Sequence, residues 1–177
     1  MTQHLWLLRH AKSSRDDPAI PDHQRPLSKR GEKAAAAIRR MMWYNGLVPD
    51  LVLVSTARRT QDTMKLLRPW ERPPIVDATD ALYLASAARI LELLRKVADP
   101  VRSVLVIGHN PGLQELAMLL VGADAKVAGG KDARRLAKTF PTGALAEFAL
   151  SAPWSRIGEG AGQLTRFVTP RELAAAG

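Results

Sequence analysis

The 177-residue chain has no cysteine, which excludes disulfides, thiolate metal sites and a cysteine nucleophile. Aromatic residues are scarce at 5%, too few to build the stacking platforms on which single-stranded nucleic acids lie. No apolar run reaches the roughly 18 residues of a membrane span. The N-terminus lacks the basic segment, apolar stretch and cleavage site of a secretory leader. Together these absences lead us to expect a cytoplasmic protein with neither a membrane nor a nucleic acid as partner. Acidic residues are the minority charge, with 17 Asp and Glu against 26 Lys and Arg, giving a formal net charge of +9. The arginines are scattered and often flank helical segments, so the excess reads as a basic surface suited to acidic or phosphorylated partners.

What is present is an ordinary globular composition, 46% hydrophobic and 24% charged. The length fits one domain, residues 1–177, able to bury a substantial core. "HLWLLR" (His4–Arg9) reads as a short buried strand, followed by a polar loop broken by Asp16, Asp17, Pro18, Pro21 and Asp22. Ser28 is a plausible cap for a helix ending near Asn45-Gly46. "DLVLVS" (Asp50–Ser55) is a second buried strand, and the segment behind it a helix stopped by Pro69. "PPIVDA" is a shorter strand, Ser86–Asp99 a helix, "RSVLVIGHN" a further strand, and Pro111 opens the next helix. Between Gly122 and Lys138 we expect loop and a short helix; "AGGKD" there lacks the glycine-to-lysine spacing of a phosphate loop. "TGALAEFALS" and "GQLTRFVT" are two more strands, separated by the loose loop "APWSRIGEGAG".

Strand and helix alternate through the first two thirds, and strands such as "LVLV" and "VLVIG" are apolar on both faces. The pattern predicts a three-layer α/β/α sandwich, a mainly parallel sheet with helices on both faces. Ligands of such sheets bind beyond the C-terminal strand ends. There the chain places Arg9-His10, then Ser55 with Arg58 and Arg59 just beyond, and then Gly108-His109-Asn110. Judged singly, each has a bland explanation: a surface histidine, a solvated first-turn arginine, a tight turn with Asn110 as helix cap. Their coincidence at one edge argues for a site. His4 and His23 fall elsewhere and read as structural.

There is no HxH, HxxxH or HExxH spacing, and arginines oppose a cation, so no metal and no cofactor are expected. Two histidines among arginines suit a phosphoryl dianion, which guanidinium forks hold in bidentate fashion. One unprotonated imidazole can attack phosphorus, the arginines favouring its neutral form. The other can donate to the equatorial oxygens as charge builds.

"LLRHAKSS", "STARRTQDT" and "VIGHNPGL" together resemble the histidine phosphatase superfamily, also called phosphoglycerate mutase-like or RHG. "RHAKS", "RPLSKRGEKAA" and "FPTGALAEF" resemble its SixA-like phosphohistidine phosphatase branch, so the likeness spans nearly the whole chain. The resemblance implies a phosphorylated intermediate on His10, phosphoryl binding by Arg9 and Arg59, and His109 as the second family histidine. Ser13 and Asn110 are expected as pocket neighbours, and Arg58 as a substrate-facing residue. Thr56 stands where the family pattern has proline, which we expect to alter the turn more than the chemistry. No acid motif for leaving-group protonation is evident. Asp80 is the nearest candidate by position, although a loop acid explains it as simply. A missing acid fits phosphohistidine, whose imidazole departs as a neutral molecule, whereas an alkoxide needs help.

The expected function is metal-independent hydrolysis of phosphohistidine on a protein. The alternatives are a phosphatase of a small phosphorylated metabolite and a non-catalytic phosphohistidine-binding module; mutase action lacks an acid-bearing insertion.

Overall fold

A computed structural model describes residues 2–123 and 130–175. Six strands form one sheet: β1 (Gln3–Arg9), β2 (Leu51–Ser55), β3 (Ile75–Thr79), β4 (Ser103–Gly108), β5 (Leu145–Leu150) and β6 (Gly162–Val168). Their order is β3-β2-β4-β1-β5-β6. β1, β2, β3 and β4 pair in parallel, whereas β5 runs antiparallel to both β1 and β6. The sheet is therefore mainly parallel, as the apolar strands predicted.

Successive side chains of a strand point to opposite faces, and this alternation splits the core in two. Leu5, Leu7, Val104 and Val106 pack beneath α3 (Ala87–Arg95), α4 (Gly112–Val121) and α5 (Lys131–Lys138). Trp6, Leu8, Leu105 and Ile107 pack beneath α1 (Lys29–Tyr44) and α2 (Arg58–Leu66), with Leu173 of α6 (Pro170–Ala175) against them. Helices on both faces complete the three layers. Among the described residues, no helix is long and apolar enough to cross a membrane.

Several boundaries differ from the sequence expectation. The helix expected over Ser86–Asp99 stops at Arg95, because the N–H groups of Lys96 and Val97 bond back to Leu93 and Leu94 and tighten the last turn. The helix expected from Pro111 begins at Gly112, with Pro111 as its cap. The loop "APWSRIGEGAG" is not loose: Trp154 is fully buried in a 3-10 turn, and its indole N–H donates to the Val101 carbonyl at 2.8 Å. The short helix expected before Lys138 is α5; residues 124–129 of that stretch lie outside the described residues.

α1 shapes the ground on which the site stands. The Ser28 hydroxyl accepts the Gly31 N–H, capping the helix, and donates to the Lys12 carbonyl at 3.0 Å. A Cβ on Gly31 would lie 2.2 Å from that same carbonyl oxygen. The absent side chain lets the segment after β1 lie directly on the helix.

Candidate active site

The C-terminal ends of β1, β2 and β4 deliver their residues to one cleft of about 220 Å³. It is lined by Arg9, His10, Ser13, Arg59, His109 and Asn110, together with Lys12, Arg15, Asp22, Arg25, Leu84 and Thr142. Of the residues expected to bind or turn over substrate, Arg9, His10, Ser13, Arg59, His109 and Asn110 meet here and Arg58 does not. Arg58 is exposed one helical position away, 3.6 Å from Asp62 in an i,i+4 pair, and borders a separate concavity with Pro26 and Leu66. The substrate-facing place expected for it is not where the helix puts it, since neighbouring positions on a helix point about 100° apart.

His10, Arg59 and His109 are only 7%, 4% and 2% exposed. The two imidazole centroids lie 5.2 Å apart, and Arg59 bridges the rings. Its Nε donates to His10 Nε2 at 3.2 Å, and its Nη2 to His109 Nδ1 at 3.3 Å. Because a guanidinium only donates, both of those ring nitrogens are acceptors. The opposite nitrogens then carry the protons: His10 Nδ1 donates to the Ala11 carbonyl at 2.8 Å, and His109 Nε2 to the Ser55 hydroxyl at 2.8 Å. The network thus fixes both tautomers, and His10 presents its unprotonated Nε2 to Arg59 at the cleft.

Burial dominates the protonation of both rings. It pushes His10 down to about 4, with Arg59 and Arg9 adding to the effect while the Ala11 carbonyl and Asp22 oppose it. His109 falls to about 3, again by burial first, then through His10, Arg59 and Arg9, against Asp22. The arginines expected to keep the imidazoles neutral do contribute, but desolvation is the larger cause.

Thr63 joins the two main segments. Its hydroxyl accepts the Ala11 N–H at 3.0 Å and donates to the Arg59 carbonyl at 2.7 Å. Across the cleft, Arg9 Nη1 and Asn110 Nδ2 both donate to the Phe140 carbonyl, at 2.9 and 3.0 Å. Arg9 Nε is buried without a partner among the described residues, a donor directed to no protein acceptor.

Sequence reasoning missed two members of this network. Asp22, noted only as a loop breaker, accepts from Arg59 through both its carbonyl and its carboxylate, and Tyr83 donates to the same carboxylate at 2.8 Å. The Tyr83 hydroxyl and Arg59 hold the Asp22 carboxyl below its ordinary pKa. Three further contacts bear on the sequence expectations. His23 is structural but not remote: its Nε2 lies 3.0 Å from the Thr56 hydroxyl, and its ring packs edge-on against Tyr83 at 4.8 Å. Thr56 does more than alter a turn, because its hydroxyl also donates to Asp80, contacts that a proline has no group to make. Asp80, thus engaged, is not among the residues lining the cleft.

No family model matches the sequence. An uncharacterized protein of Mycobacterium tuberculosis is 33% identical over 171 residues, 93% of this chain and 100% of its own length. The structure of a protein from Nakamurella multipartitia, assigned as the phosphohistidine phosphatase SixA, superposes with a TM-score of 0.83 at 26% identity, over 96% of this chain and 97% of that one. A protein of Agrobacterium tumefaciens with the same assignment gives 0.80 at 27%, over 96% and 99%. With two histidines and two arginines gathered at the same sheet edge, the chain belongs to the histidine phosphatase superfamily. The structures superposed at 26% and 27% identity both carry the SixA assignment, so the likeness points toward that branch.

Proposed function

We propose that the chain is a cytoplasmic, metal-independent phosphatase that hydrolyses phosphohistidine on a protein through a phosphorylated His10. The observation that carries this reading is the His10 tautomer. Its Nδ1 proton is held by the Ala11 carbonyl, which leaves Nε2 as the unprotonated nitrogen, at the cleft and accepting from Arg59 Nε. Burial keeps the ring neutral far below physiological pH, so its Nε2 lone pair becomes available for attack once a phosphoryl group draws the Arg59 donor away.

In the first step His10 Nε2 attacks phosphorus, the N–P bond of the substrate breaks, and the substrate ring, already protonated on its other nitrogen, departs as a neutral imidazole. Arg9 binds the phosphoryl oxygens, which also take over the inner-edge donors of Arg59 from the two rings. A dianion arriving beside His109 Nδ1 raises that ring's pKa, so the nitrogen takes up a proton and donates to an equatorial oxygen. Water then attacks phospho-His10, the second N–P bond breaks, and phosphate leaves. The donor set supports chemistry without a metal: His109 spends both ring nitrogens on Ser55 and Arg59, and a guanidinium stands between the imidazoles. The neutral nucleophile favours turnover over mere binding. Asp80 is engaged by Thr56, which supports a substrate whose leaving group needs no acid.

The test is rapid quenching with a labelled phosphohistidine protein, with phosphoramidate and a panel of phosphomonoesters run alongside. Acid-labile, base-stable phosphate should be trapped on the enzyme and be lost in His10→Ala together with turnover. Near-normal activity of His10→Ala, or a rate on alkyl monoesters matching that on N–P substrates, overturns the reading.

A further inference from the structure

We propose that the cleft contains a second anion subsite, formed by Lys12, Arg15 and Arg25, which selects substrates whose phosphoryl group is flanked by another anionic group. The proposal rests on the phosphatase reading above and narrows its substrate class. Five cations line the cleft, Arg9, Lys12, Arg15, Arg25 and Arg59, against the single carboxylate of Asp22. That carboxylate is already occupied by Arg59 and Tyr83. A phosphoryl dianion between Arg9 and Arg59 adds two negative charges to the one of Asp22, which leaves the five cations of the cleft in excess.

The three cations of the proposed subsite are held together by the backbone. Ser13 and Leu27 form an antiparallel bridge, the Ser14 N–H donates to the Pro26 carbonyl, and the Ser28 N–H donates to the Lys12 carbonyl, both at 2.8 Å. Residues 12–15 therefore run alongside residues 25–28, with Lys12 and Arg15 on one segment and Arg25 on the other. Several other surface cations do have acidic partners: Arg72 meets Asp50, Arg89 meets Glu92, Arg135 meets Asp132 and Arg166 meets Glu147. Lys12 and Arg15 have no carboxylate within ion-pair distance among the described residues. Arg25 is half-buried, only 3.7 Å from the already engaged Asp22, and its buried Nε has no hydrogen-bond partner. A fixed guanidinium with an idle buried donor, beside two unpaired cations in the same cleft as the nucleophile, has the chemistry of an anion site.

The second anion has two possible sources, an acidic side chain next to phosphohistidine on a protein or a second phosphate on a small molecule. Four substrates separate them: a phosphohistidine peptide flanked by glutamates, the same peptide flanked by glutamines, propane-1,3-diol bisphosphate and propyl phosphate. We expect wild type to favour the glutamate peptide by about tenfold in kcat/KM, mainly through KM, with the preference fading as salt screens it. Arg15→Gln and Arg25→Gln should each narrow that ratio, and the double variant should bring it close to one. The ratio is internal to each variant, so a general loss of activity leaves it readable. A preference confined to the bisphosphate keeps the subsite and assigns it to a metabolite. Equal rates within both pairs for wild type overturn the subsite. Absence of turnover on every substrate, phosphoramidate included, overturns the phosphatase reading instead.

Discussion

Arg59 turns one edge of its guanidinium to Asp22 and the other to the two histidines. Nη1 donates to the Asp22 carbonyl at 2.7 Å and Nη2 to its carboxylate at 3.1 Å, while Nε and the second Nη2 proton reach His10 and His109. The outer edge is used for orientation, and the inner edge looks onto the space between the rings, where a phosphoryl group would lie. Asp22 is itself steadied by the Tyr83 hydroxyl, and the adjoining His23 by Thr56.

Asp22 is therefore expected to act through Arg59. Asp22→Ala should lower kcat by about 10- to 100-fold, the scale of a misplaced catalytic group. Asp22→Asn, which keeps an acceptor for both Arg59 and Tyr83, should recover part of that loss. Steady-state kinetics on phosphoramidate check the order; a wild-type rate for the alanine variant would remove Asp22 from the machinery.

The two adjacent arginines should behave oppositely. Arg59→Ala should cost about 2–4 kcal/mol of transition-state stabilisation and weaken competitive inhibition by vanadate, the magnitude of a lost oxyanion donor. Arg58→Ala removes only an exposed pair with Asp62 and should change kcat/KM by about twofold or less. Equal losses in the two variants would mean that Arg58 reaches the cleft during turnover.

The buried histidines set the acid behaviour. With His10 at about 4 rather than the ordinary 6.5, the acid limb of kcat/KM should lie near pH 4, and the profile should be flat from about pH 5.5 to 7. Asp22 raises both imidazoles, so Asp22→Asn should move that limb lower still. Stability follows the same groups. Their folded pKa values lie below the unfolded value, so below pH 6.5 the unfolded chain binds protons that the folded chain refuses. Stability is whole above that value and falls as pH drops toward the folded pKa values. Urea unfolding at pH 7 and pH 5 should differ by about 2 kcal/mol per buried histidine. Unchanged stability at pH 5 would show that the rings are readily protonated in place.

Gly31→Ala tests how the segment after β1 is seated. Its Cβ would fall 2.2 Å from the Lys12 carbonyl oxygen, so the helix and the cleft wall must separate. A loss of about 1–3 kcal/mol in urea unfolding, the usual cost of overpacking, should accompany a raised KM. Intact stability would show that this contact is loose.

Much of this was legible in the chain because it depends on local pattern. Strand ends at Arg9, Ser55 and Gly108 follow from apolar runs that stop at polar residues, and parallel order then brings His10, Arg59 and His109 to one edge. The Ser28 cap is equally local. What stayed hidden depends on side chains that meet across long sequence separations. Nothing around Pro21-Asp22-His23 announces a contact with Arg59 or with Tyr83, since a loop carries no periodicity from which to place it. Arg58 was misplaced for the converse reason: adjacency in sequence says nothing about which face of a helix points inward until the packing is known.

The Phe140 carbonyl, which accepts from both Arg9 and Asn110, sits on the turn that feeds the antiparallel strand β5 back beside β1. A fragment ending at Val121 would contain His10, Arg59 and His109 and every parallel strand, yet it would lack the one oxygen that anchors Arg9. Arg9, His10, Arg59 and His109 lie in the first two thirds of the chain, but their geometry is completed by the last third. Truncation before Phe140 should therefore silence the site while leaving His10 in the chain.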